Sequence, residues 1–146
     1  EGDREVLRPL FRESDDSEHE IDSYIDAGEV LTAVEDDEIV GHLLLIANGD
    51  GTFELKSMAV VESRRGTGVG RGLVGAALRR CRELGARRLL VATAAADTGN
   101  LRFYQRQGFR LAAVERDAFG PDRGYTDDIV IDGIPLRDRV WLDQDL

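Results

Sequence analysis

The first half of the chain alternates short apolar stretches with polar turns, which is typical of neighbouring β-strands. Residues 30–34 and 39–46 predict two strands joined by the acidic turn at 35–38. The Asn-Gly-Asp-Gly sequence at residues 48–51 predicts a hairpin turn before a third strand over 52–60. These strands are therefore expected to form an antiparallel meander.

The segment before the meander predicts one strand and one helix. Residues 5–10 predict a short strand. The Ser-Asp-Asp sequence at 14–16 offers side chains that cap helix N-termini, with Glu18 three residues after Asp15. The helix that follows is expected to end at Gly28. Its apolar face comprises Ile21, Tyr24 and Ile25.

Beyond residue 68 the spacing of apolar residues changes from two to about 3.6, which predicts an amphipathic helix ending at Gly85. The apolar face of this helix comprises Val69, Leu73, Val74, Ala77, Leu78, Cys81 and Leu84. The next apolar stretch, residues 88–93, predicts a buried strand. A strand, a glycine-rich loop, a helix and a second strand make a crossover unit, whose two strands are normally parallel.

The last third of the chain predicts a short helix over residues 101–107, followed from Phe109 onward by strands only. These include a hairpin at 132–135 and a final strand near 140–142. At 146 residues, with no repeat or linker, the sequence predicts one domain covering residues 1–146. The expected fold class is α/β, with a mixed central sheet and helices on both faces.

Composition narrows the range of partners. Apolar residues make up 42% of the chain but form no run near the ~20 that span a bilayer, so no membrane partner is expected. The net charge of −10 disfavours a nucleic-acid partner. The single cysteine, Cys81, cannot form an internal disulfide, and the N-terminus lacks a secretory pattern, which together predict a cytoplasmic location. His19 and His42 are too few for a metal site or a triad, so no metal is expected.

The charge is unevenly distributed along the chain. Residues 64–110 contain eleven arginines against Glu83 and Asp97, a net of +9, which leaves −19 for the remaining residues. This division predicts that the middle of the sequence holds an anion and that the rest attracts a cation.

Residues 64–70, Arg-Arg-Gly-Thr-Gly-Val-Gly, lie between the third predicted strand and the amphipathic helix, and we call them the glycine loop. A helix N-terminus leaves backbone N–H groups unpaired and concentrates positive dipole charge, so it binds phosphate. Glycines let the backbone approach a ligand closely, and Arg64, Arg65 and Arg71 add full charges. The glycine loop therefore predicts a site for the pyrophosphate of a nucleotide-type cofactor.

Two other classes of phosphate site fit less well. The ATP and GTP loop requires Gly-Lys-Ser/Thr, which a chain whose only lysine is Lys56 does not contain. A dinucleotide-type Gly-x-Gly-x-x-Gly occurs at residues 70–75, with Asp97 near the place of a ribose-binding acid. It lies inside the predicted helix, however, and it follows an antiparallel meander.

Residues 65–70 resemble the Arg/Gln-x-x-Gly-x-Gly/Ala signature of the GNAT superfamily of acyl-CoA-dependent N-acyltransferases, and residues 55–60 resemble the strand that precedes it there. Residues 103–110, Phe-Tyr-Gln-Arg-Gln-Gly-Phe-Arg, resemble the second signature of that family. The order of elements agrees along essentially the whole chain, and residues 133–142 are similar to a bacterial branch whose substrates are mostly unassigned. The resemblance implies a GNAT fold.

The resemblance also implies that acetyl-CoA is the cosubstrate, and it assigns residues to that ligand. The backbone groups that would pair with the pantetheine arm and polarise the thioester carbonyl are those of Met58, Ala59 and Val60. The residues that would hold the pyrophosphate are Arg65, Gly66, Thr67, Gly68, Val69, Gly70 and Arg71. Phe103 belongs to the same site. The family often has a cofactor-binding asparagine seven residues before its tyrosine, where this chain has Asp97, with Asn100 as the alternative.

Two residues are implied to carry the chemistry. Tyr104 would donate a proton to the departing thiolate, since a phenol is a suitable donor. Glu54 matches the position of a general base in protein-acetylating members, and a water chain is the alternative base. Cys81 lies on the apolar face of its helix, which favours direct transfer over a covalent acyl-enzyme.

The predicted function is transfer of an acetyl group from acetyl-CoA to a primary amine of a cationic acceptor, either a small molecule or a protein. The alternative is an acyl-CoA-binding sensor that keeps the fold without turnover. A homodimer paired through a terminal hairpin or an edge strand is compatible with the sequence.

Overall fold

The computed structural model describes residues 3–15, 17–126 and 128–146. Its helices are α1 (Arg8–Ser14), α2 (Glu18–Tyr24), α3 (Val69–Glu83) and α4 (Thr98–Arg106). Its strands are β1 (Glu29–Glu35), β2 (Glu38–Ala47), β3 (Thr52–Val60), β4 (Arg88–Ala94), β5 (Arg110–Glu115), β6 (Val130–Ile131), β7 (Ile134–Pro135) and β8 (Arg139–Asp145). Short 3₁₀ helices lie at Arg4–Leu7, Glu62–Arg64 and Pro121–Arg123.

The predicted antiparallel meander is confirmed by the pairing of β1 with β2 and of β2 with β3. The acidic turn between β1 and β2 places Asp36 and Asp37 at φ values of 50° and 65°. Two successive positive φ values suit the twist of a tight hairpin, and aspartate tolerates them better than most residues. The meander forms half of a six-stranded sheet with the order β1-β2-β3-β4-β8-β5.

β3 and β4 are parallel, as the crossover through α3 predicts. They pair only over residues 52–55 of β3 and 88–91 of β4. β3 continues to Val60 and β4 to Ala94, so the two strands separate beyond Leu55 and Val91. The separated lengths leave backbone N–H and C=O groups on their facing edges without a sheet partner.

Helices cover both faces of the sheet, as expected. On one face, α3 and α4 contribute Leu73 and Tyr104 to a core that includes several strand residues. On the other face, α1 and α2 pack through Phe11 and Ile21 against Leu44 of β2. The mixed α/β class predicted from the sequence is therefore confirmed.

β5 forms one edge of the sheet and pairs only with β8. Its side chains are exposed on both faces of the sheet, with Leu111 at 60% and Val114 at 66% exposure. An edge strand presents a row of unpaired backbone groups and is a ready site for pairing with another chain. Pairing between subunits through such an edge stays a prediction.

The predicted strand at residues 5–10 is wrong, because this segment forms a 3₁₀ helix that runs directly into α1. Asp3 caps the start by accepting a hydrogen bond from the Glu5 N–H at 2.9 Å. Pro9 lies in the first turn of α1, where a backbone N–H has no intrahelical partner to lose. The buried residues are Leu7, Leu10 and Phe11, whose spacing is that of one helical face.

Three other boundaries differ from the prediction. Ser17, rather than Asp15, caps α2 by accepting a hydrogen bond from the Glu20 N–H at 3.2 Å, and Asp16 lies outside the described residues. α4 begins three residues early because Asp97 caps it. The chain after Phe109 is not strands only, since residues 116–129 form turns and a 3₁₀ helix where they are described.

A hydrogen-bond chain from buried His42 to Ser14 ties α1 to the sheet. The His42 Nε2 atom lies 2.8 Å from Ser57 Oγ, which lies 2.6 Å from Ser14 Oγ. Ser14 Oγ donates to the Phe11 carbonyl at 3.0 Å. Because a carbonyl only accepts, the chain runs in one direction, and His42 Nε2 donates to Ser57. His42 is fully buried, and this burial lowers its pKa from 6.5 to about 4.

The buried His42 predicts a loss of stability in mild acid. Between about pH 6.5 and 4 the unfolded imidazole binds a proton that the folded one does not, so the free energy of unfolding should fall by up to about 3 kcal/mol. Denaturant titrations across this range check the slope for the wild type and for His42→Gln. The variant should lose much of the slope, whereas His19→Gln, at an exposed histidine, should keep it. An equal slope in the His42 variant and the wild type would contradict this explanation.

Candidate active site

A cavity of about 730 Å³ lies where β3 and β4 separate. Its wall includes residues 54–60 of β3 and 91–94 of β4, together with parts of the glycine loop and α4. The predicted site residues that line it are Glu54, Met58, Ala59, Val60, Arg65, Gly66, Gly68, Gly70, Arg71, Asn100, Phe103 and Tyr104. Thr67 and Val69 do not line it. The structure thus brings most of the predicted donor site and both candidate chemical groups into one cavity.

The glycine loop ends at the N-terminus of α3, where Gly68 is the N-cap residue and contributes no side-chain cap. Gly66 and Gly68 adopt φ values of +76° and +95°, which side-chain-bearing residues rarely adopt. A Cβ atom at either position would meet nothing within 4 Å, so both glycines face open space. The Gly-x-Gly-x-x-Gly pattern at 70–75 lies inside α3, which excludes the dinucleotide interpretation.

Two loop residues shape the site without lining the cavity. The Thr67 hydroxyl donates to the Arg64 carbonyl and so closes the loop on itself. The Val69 side chain is half-buried and packs against the core under α3. The predicted contact of these two residues with a ligand stays a prediction.

Arg65 connects the glycine loop to the other side of the sheet. Its Nε donates to the Val60 carbonyl at 3.1 Å, and its Nη2 lies 2.9 Å from Glu13 Oε2 at the end of α1. About half of the Arg65 side chain remains exposed, at 51%. An exposed pair of this kind contributes little to stability and can exchange partners readily. Arg65 is thus held at the cavity rim in a position to meet an anion.

Tyr104 is buried in α4 between two other aromatic rings. Its ring lies 5.1 Å from that of Phe103 and 5.7 Å from that of Phe109, both in edge-to-face geometry. Burial raises the pKa of Tyr104 above its usual 10, and the negative charge of Asp97 adds to this. The phenol therefore stays protonated at neutral pH and can donate a proton into the cavity.

Glu54 lies on β3 with only 17% of its side chain exposed. Burial raises the pKa of this carboxyl, against the opposing positive charges of Lys56 and Arg139. The Lys56 Nζ atom lies 3.9 Å from Glu54 Oε2. A carboxylate whose pKa is raised toward neutrality is a better proton acceptor than an ordinary surface one.

Asp97 and Asn100 are the two candidates for the cofactor-binding asparagine position, and they make different hydrogen bonds. The Asp97 carboxylate accepts the Asn100 N–H at 3.0 Å and is used to cap α4. The Asn100 side chain lines the cavity and donates from Nδ2 to Thr93 Oγ1 at 3.3 Å. Both residues line the cavity, so either can contact a ligand, and the choice between them stays a prediction.

The cavity wall also contains Asp15, Phe119, Tyr125 and Arg139, which no local sequence pattern brings together. Asp15 accepts hydrogen bonds from Tyr125 Oη, from Tyr24 Oη at 3.0 Å and from the Ser17 N–H at 3.0 Å. Tyr125 is 110 residues away along the chain, so no local motif could have indicated this contact. Nearby, the Arg139 guanidinium lies 5.0 Å from the centre of the Phe119 ring. Together these groups form a polar and aromatic part of the same cavity wall.

The remaining candidates have other roles. Cys81 is fully buried on the core face of α3, and burial raises the pKa of its thiol, so it is a poor nucleophile. Among residues 3–15, 17–126 and 128–146, no group of three or more histidines, cysteines or carboxylates is placed to hold a metal ion. No helix in these same ranges is long and apolar enough to cross a membrane.

Comparison with known proteins identifies the fold. The family model of the acetyltransferase (GNAT) family matches residues 4–109. This chain belongs to the GNAT acetyltransferase family. The GNAT chain is 36% identical over 140 residues to the uncharacterized N-acetyltransferase YvbK of Bacillus subtilis (strain 168), a match that covers 96% of this chain and 89% of that protein.

Solved GNAT structures share its architecture closely. A crystal structure of a Bacillus subtilis acetyltransferase in complex with CoA has a TM-score of 0.90 at 35% identity, covering 100% of this chain and 95% of that one. A GNAT family acetyltransferase from Elizabethkingia anophelis with acetyl-CoA bound has a TM-score of 0.88 at 29% identity, covering 95% and 90%. The resemblance stated from the two sequence signatures is therefore confirmed at the level of family and fold.

The residues of this GNAT site fit a coenzyme A ligand. The open space at Gly66 and Gly68 and the uncapped start of α3 offer unpaired N–H groups for phosphate oxygens. The unpaired edge of β3 beyond Leu55 offers backbone groups for the amides of a pantetheine arm. The cavity joins these two features, so a long, polyanionic ligand can contact both at once.

Adding a methyl group at Gly68 should specifically lower the affinity for coenzyme A. Gly68→Ala should weaken CoA binding by about ten-fold or more, because its Cβ occupies the open space at the helix start and its positive φ is strained by ~1 kcal/mol. Calorimetric titration with CoA measures the effect. Gly72→Ala is the matched control, since this glycine lies four residues on in the helix with open space around it.

The control variant should bind CoA like the wild type and gain about 0.5–1 kcal/mol of stability from its better helix propensity. Equal CoA affinity in the Gly68 variant and the wild type would contradict the assignment of the glycine loop.

Proposed function

We propose that this GNAT chain transfers the acetyl group of acetyl-CoA directly to a primary amine of a cationic acceptor, either a small molecule or a protein. The observation that carries the proposal is the single cavity at the separation of β3 and β4. It joins an anion-binding helix start to a buried phenol, Tyr104, and to a half-buried carboxyl, Glu54. These are the groups that acyl transfer to an amine requires.

On the donor side, residues of this chain bind and orient acetyl-CoA. Arg65 and the N–H groups of residues 66–71 hold the pyrophosphate, while the backbone of Met58, Ala59 and Val60 contacts the pantetheine arm. Acetyl-CoA supplies a thioester whose carbonyl carbon accepts the amine. A backbone N–H at the unpaired edge of β3 donates to the carbonyl oxygen as negative charge develops there. Phe103 and Asn100 complete this side of the cavity.

Proton transfer is assigned to two side chains. An amine with a pKa near ~10 must lose a proton before it attacks, and Glu54 accepts that proton directly or through a chain of water. Tyr104 donates a proton to the sulfur as it departs. The two groups lie in the wall of one cavity on different elements, β3 and α4, so the acceptor amine can approach between them.

A cationic acceptor is supported by charge. Outside residues 64–110 the chain carries a net −19. Among the described residues, the cavity wall contains four carboxylates, Glu13, Asp15, Glu54 and Asp97, and five cations, Lys56, Arg64, Arg65, Arg71 and Arg139. Glu13 is paired with Arg65 and Glu54 with Lys56, whereas Asp15 is held by hydroxyl and N–H donors. Because the donors that hold Asp15 are neutral, its carboxylate can still pair with an ammonium group.

An amine panel tests the function and separates it from a sensor that only binds acyl-CoA. The protein is incubated with acetyl-CoA and diamines, aminocyclitols, basic peptides and neutral or acidic amines, while free CoA thiol is measured. We expect thiol release with cationic amines and a lower rate at high salt. Acetyl-CoA binding without thiol release from any amine would favour the sensor. Equal rates with cationic and anionic amines would contradict the proposed preference for cationic acceptors.

Replacing Tyr104 should lower kcat without weakening CoA binding. Tyr104→Phe keeps the ring in its aromatic cluster but removes the proton donor, so kcat should fall by about 10²-fold or more with a nearly unchanged Kd for CoA. Steady-state kinetics and calorimetry measure the two quantities on the same preparation. An unchanged kcat in this variant would exclude Tyr104 as the acid.

A further inference from the structure

Lys56 is the only lysine of the chain, and it lies in the cavity wall. It falls at a bulge of β3, because Leu44 of β2 pairs with Ser57 and Leu45 pairs with Leu55, which leaves Lys56 without a partner across the strands. A bulge redirects a side chain relative to the regular alternation of a strand. Lys56 thus points toward α2 beside the cavity, as its contact with Tyr24 shows.

The amine of Lys56 lies beside a carboxylate and an aromatic ring. Its Nζ lies 3.9 Å from Glu54 Oε2 and 5.1 Å from the centre of the Tyr24 ring. The contact with Tyr24 is a cation–π interaction, which holds the ammonium without removing it from solvent, since the side chain remains 30% exposed. The chain's own amine therefore lies beside the residue proposed as the base.

We propose that Lys56 is itself an acceptor, so that the protein acetylates its own cavity at this position; the inference rests on the acetyl transfer proposed above. Lys56 is the one side chain suited to this role. The other eighteen basic residues that make up the total of nineteen are arginines, whose guanidinium groups stay protonated and do not act as amine nucleophiles.

The step is an aminolysis of the thioester. Lys56 Nζ attacks the carbonyl carbon, and the new N–C bond forms as the C–S bond breaks. The Lys56 ammonium gives up two protons, of which Glu54 accepts one. Tyr104 donates its phenolic proton to the departing sulfur, and the second ammonium proton restores the phenol. The products are acetyl-Lys56 and the free thiol of CoA, with no oxidant or further reactant.

Acetylation changes the electrostatics of the cavity. It removes the positive charge that faces Glu54 and abolishes the cation–π contact with Tyr24. The cavity then has one positive charge fewer and an additional amide. Self-acetylation therefore increases the preference of the enzyme for cationic acceptors. The fraction of protein that is acetylated at Lys56 also depends on the concentration of acetyl-CoA.

The test incubates the protein with acetyl-CoA alone and follows intact mass, with peptide mapping to locate the modification. We expect one acetyl group on Lys56, an equivalent of CoA thiol, and a rate constant independent of protein concentration. Lys56→Arg is the matched control, because it keeps the positive charge but cannot accept the acetyl group. Glu54→Gln should slow the modification by about ten-fold or more if the carboxylate takes the proton.

Protein unfolded in urea measures the background reaction of acetyl-CoA with an exposed lysine. Modification of Lys56 that is as fast in urea as in the native protein, or that occurs only at another amine, would overturn the proposal. Thiol release with added amines but no acetyl-Lys56 would overturn this inference and leave the proposed function standing. No thiol release under either condition would remove the proposed function as well.

Discussion

The site depends on one constraint in the sheet, namely that β3 and β4 pair over only four residues and then separate. Parallel strands normally satisfy each other's backbone groups along their shared length. Here the last part of each strand faces a cavity, and the unpaired edge is tolerable only because the cavity is open to water or to a ligand with its own amides. A short 3₁₀ helix, Glu62–Arg64, connects β3 to the glycine loop, and the start of α3 lies at the cavity rim.

The parts of this arrangement that are local in sequence were predictable. The glycine loop, the meander and the aromatic pair of α4 each follow from residues that are close along the chain. The parallel pairing also followed, because a crossover through a helix leaves few alternatives. The prediction of a strand at residues 5–10 was wrong because so short a window contains only Leu7 and Leu10 of the buried face, and the continuation to Phe11 completes the helical spacing.

The part of the cavity wall that contains Asp15 and Tyr125 could not be predicted in the same way. Asp15 had an adequate local interpretation as a helix cap, and its real partners, Tyr24 and Tyr125, reach it from a helix and from an irregular segment far along the chain. The charge pattern was also only partly informative. Several of the arginines in residues 64–110 are paired with acidic residues outside that segment, as Arg80 is with Glu29. Folding thus neutralises part of the asymmetry that the sequence suggests.

The single lysine has a practical consequence for anyone who labels this protein. Amine-reactive dyes and cross-linkers find no other lysine side chain to modify, so a label introduced at a side-chain amine is attached in the wall of the cavity. A fluorophore placed there lies beside Glu54 and Tyr24 and would sense which ligand fills the space between the two separated strands. Because the chain contains a single lysine, ordinary bioconjugation chemistry can place a label in this cavity.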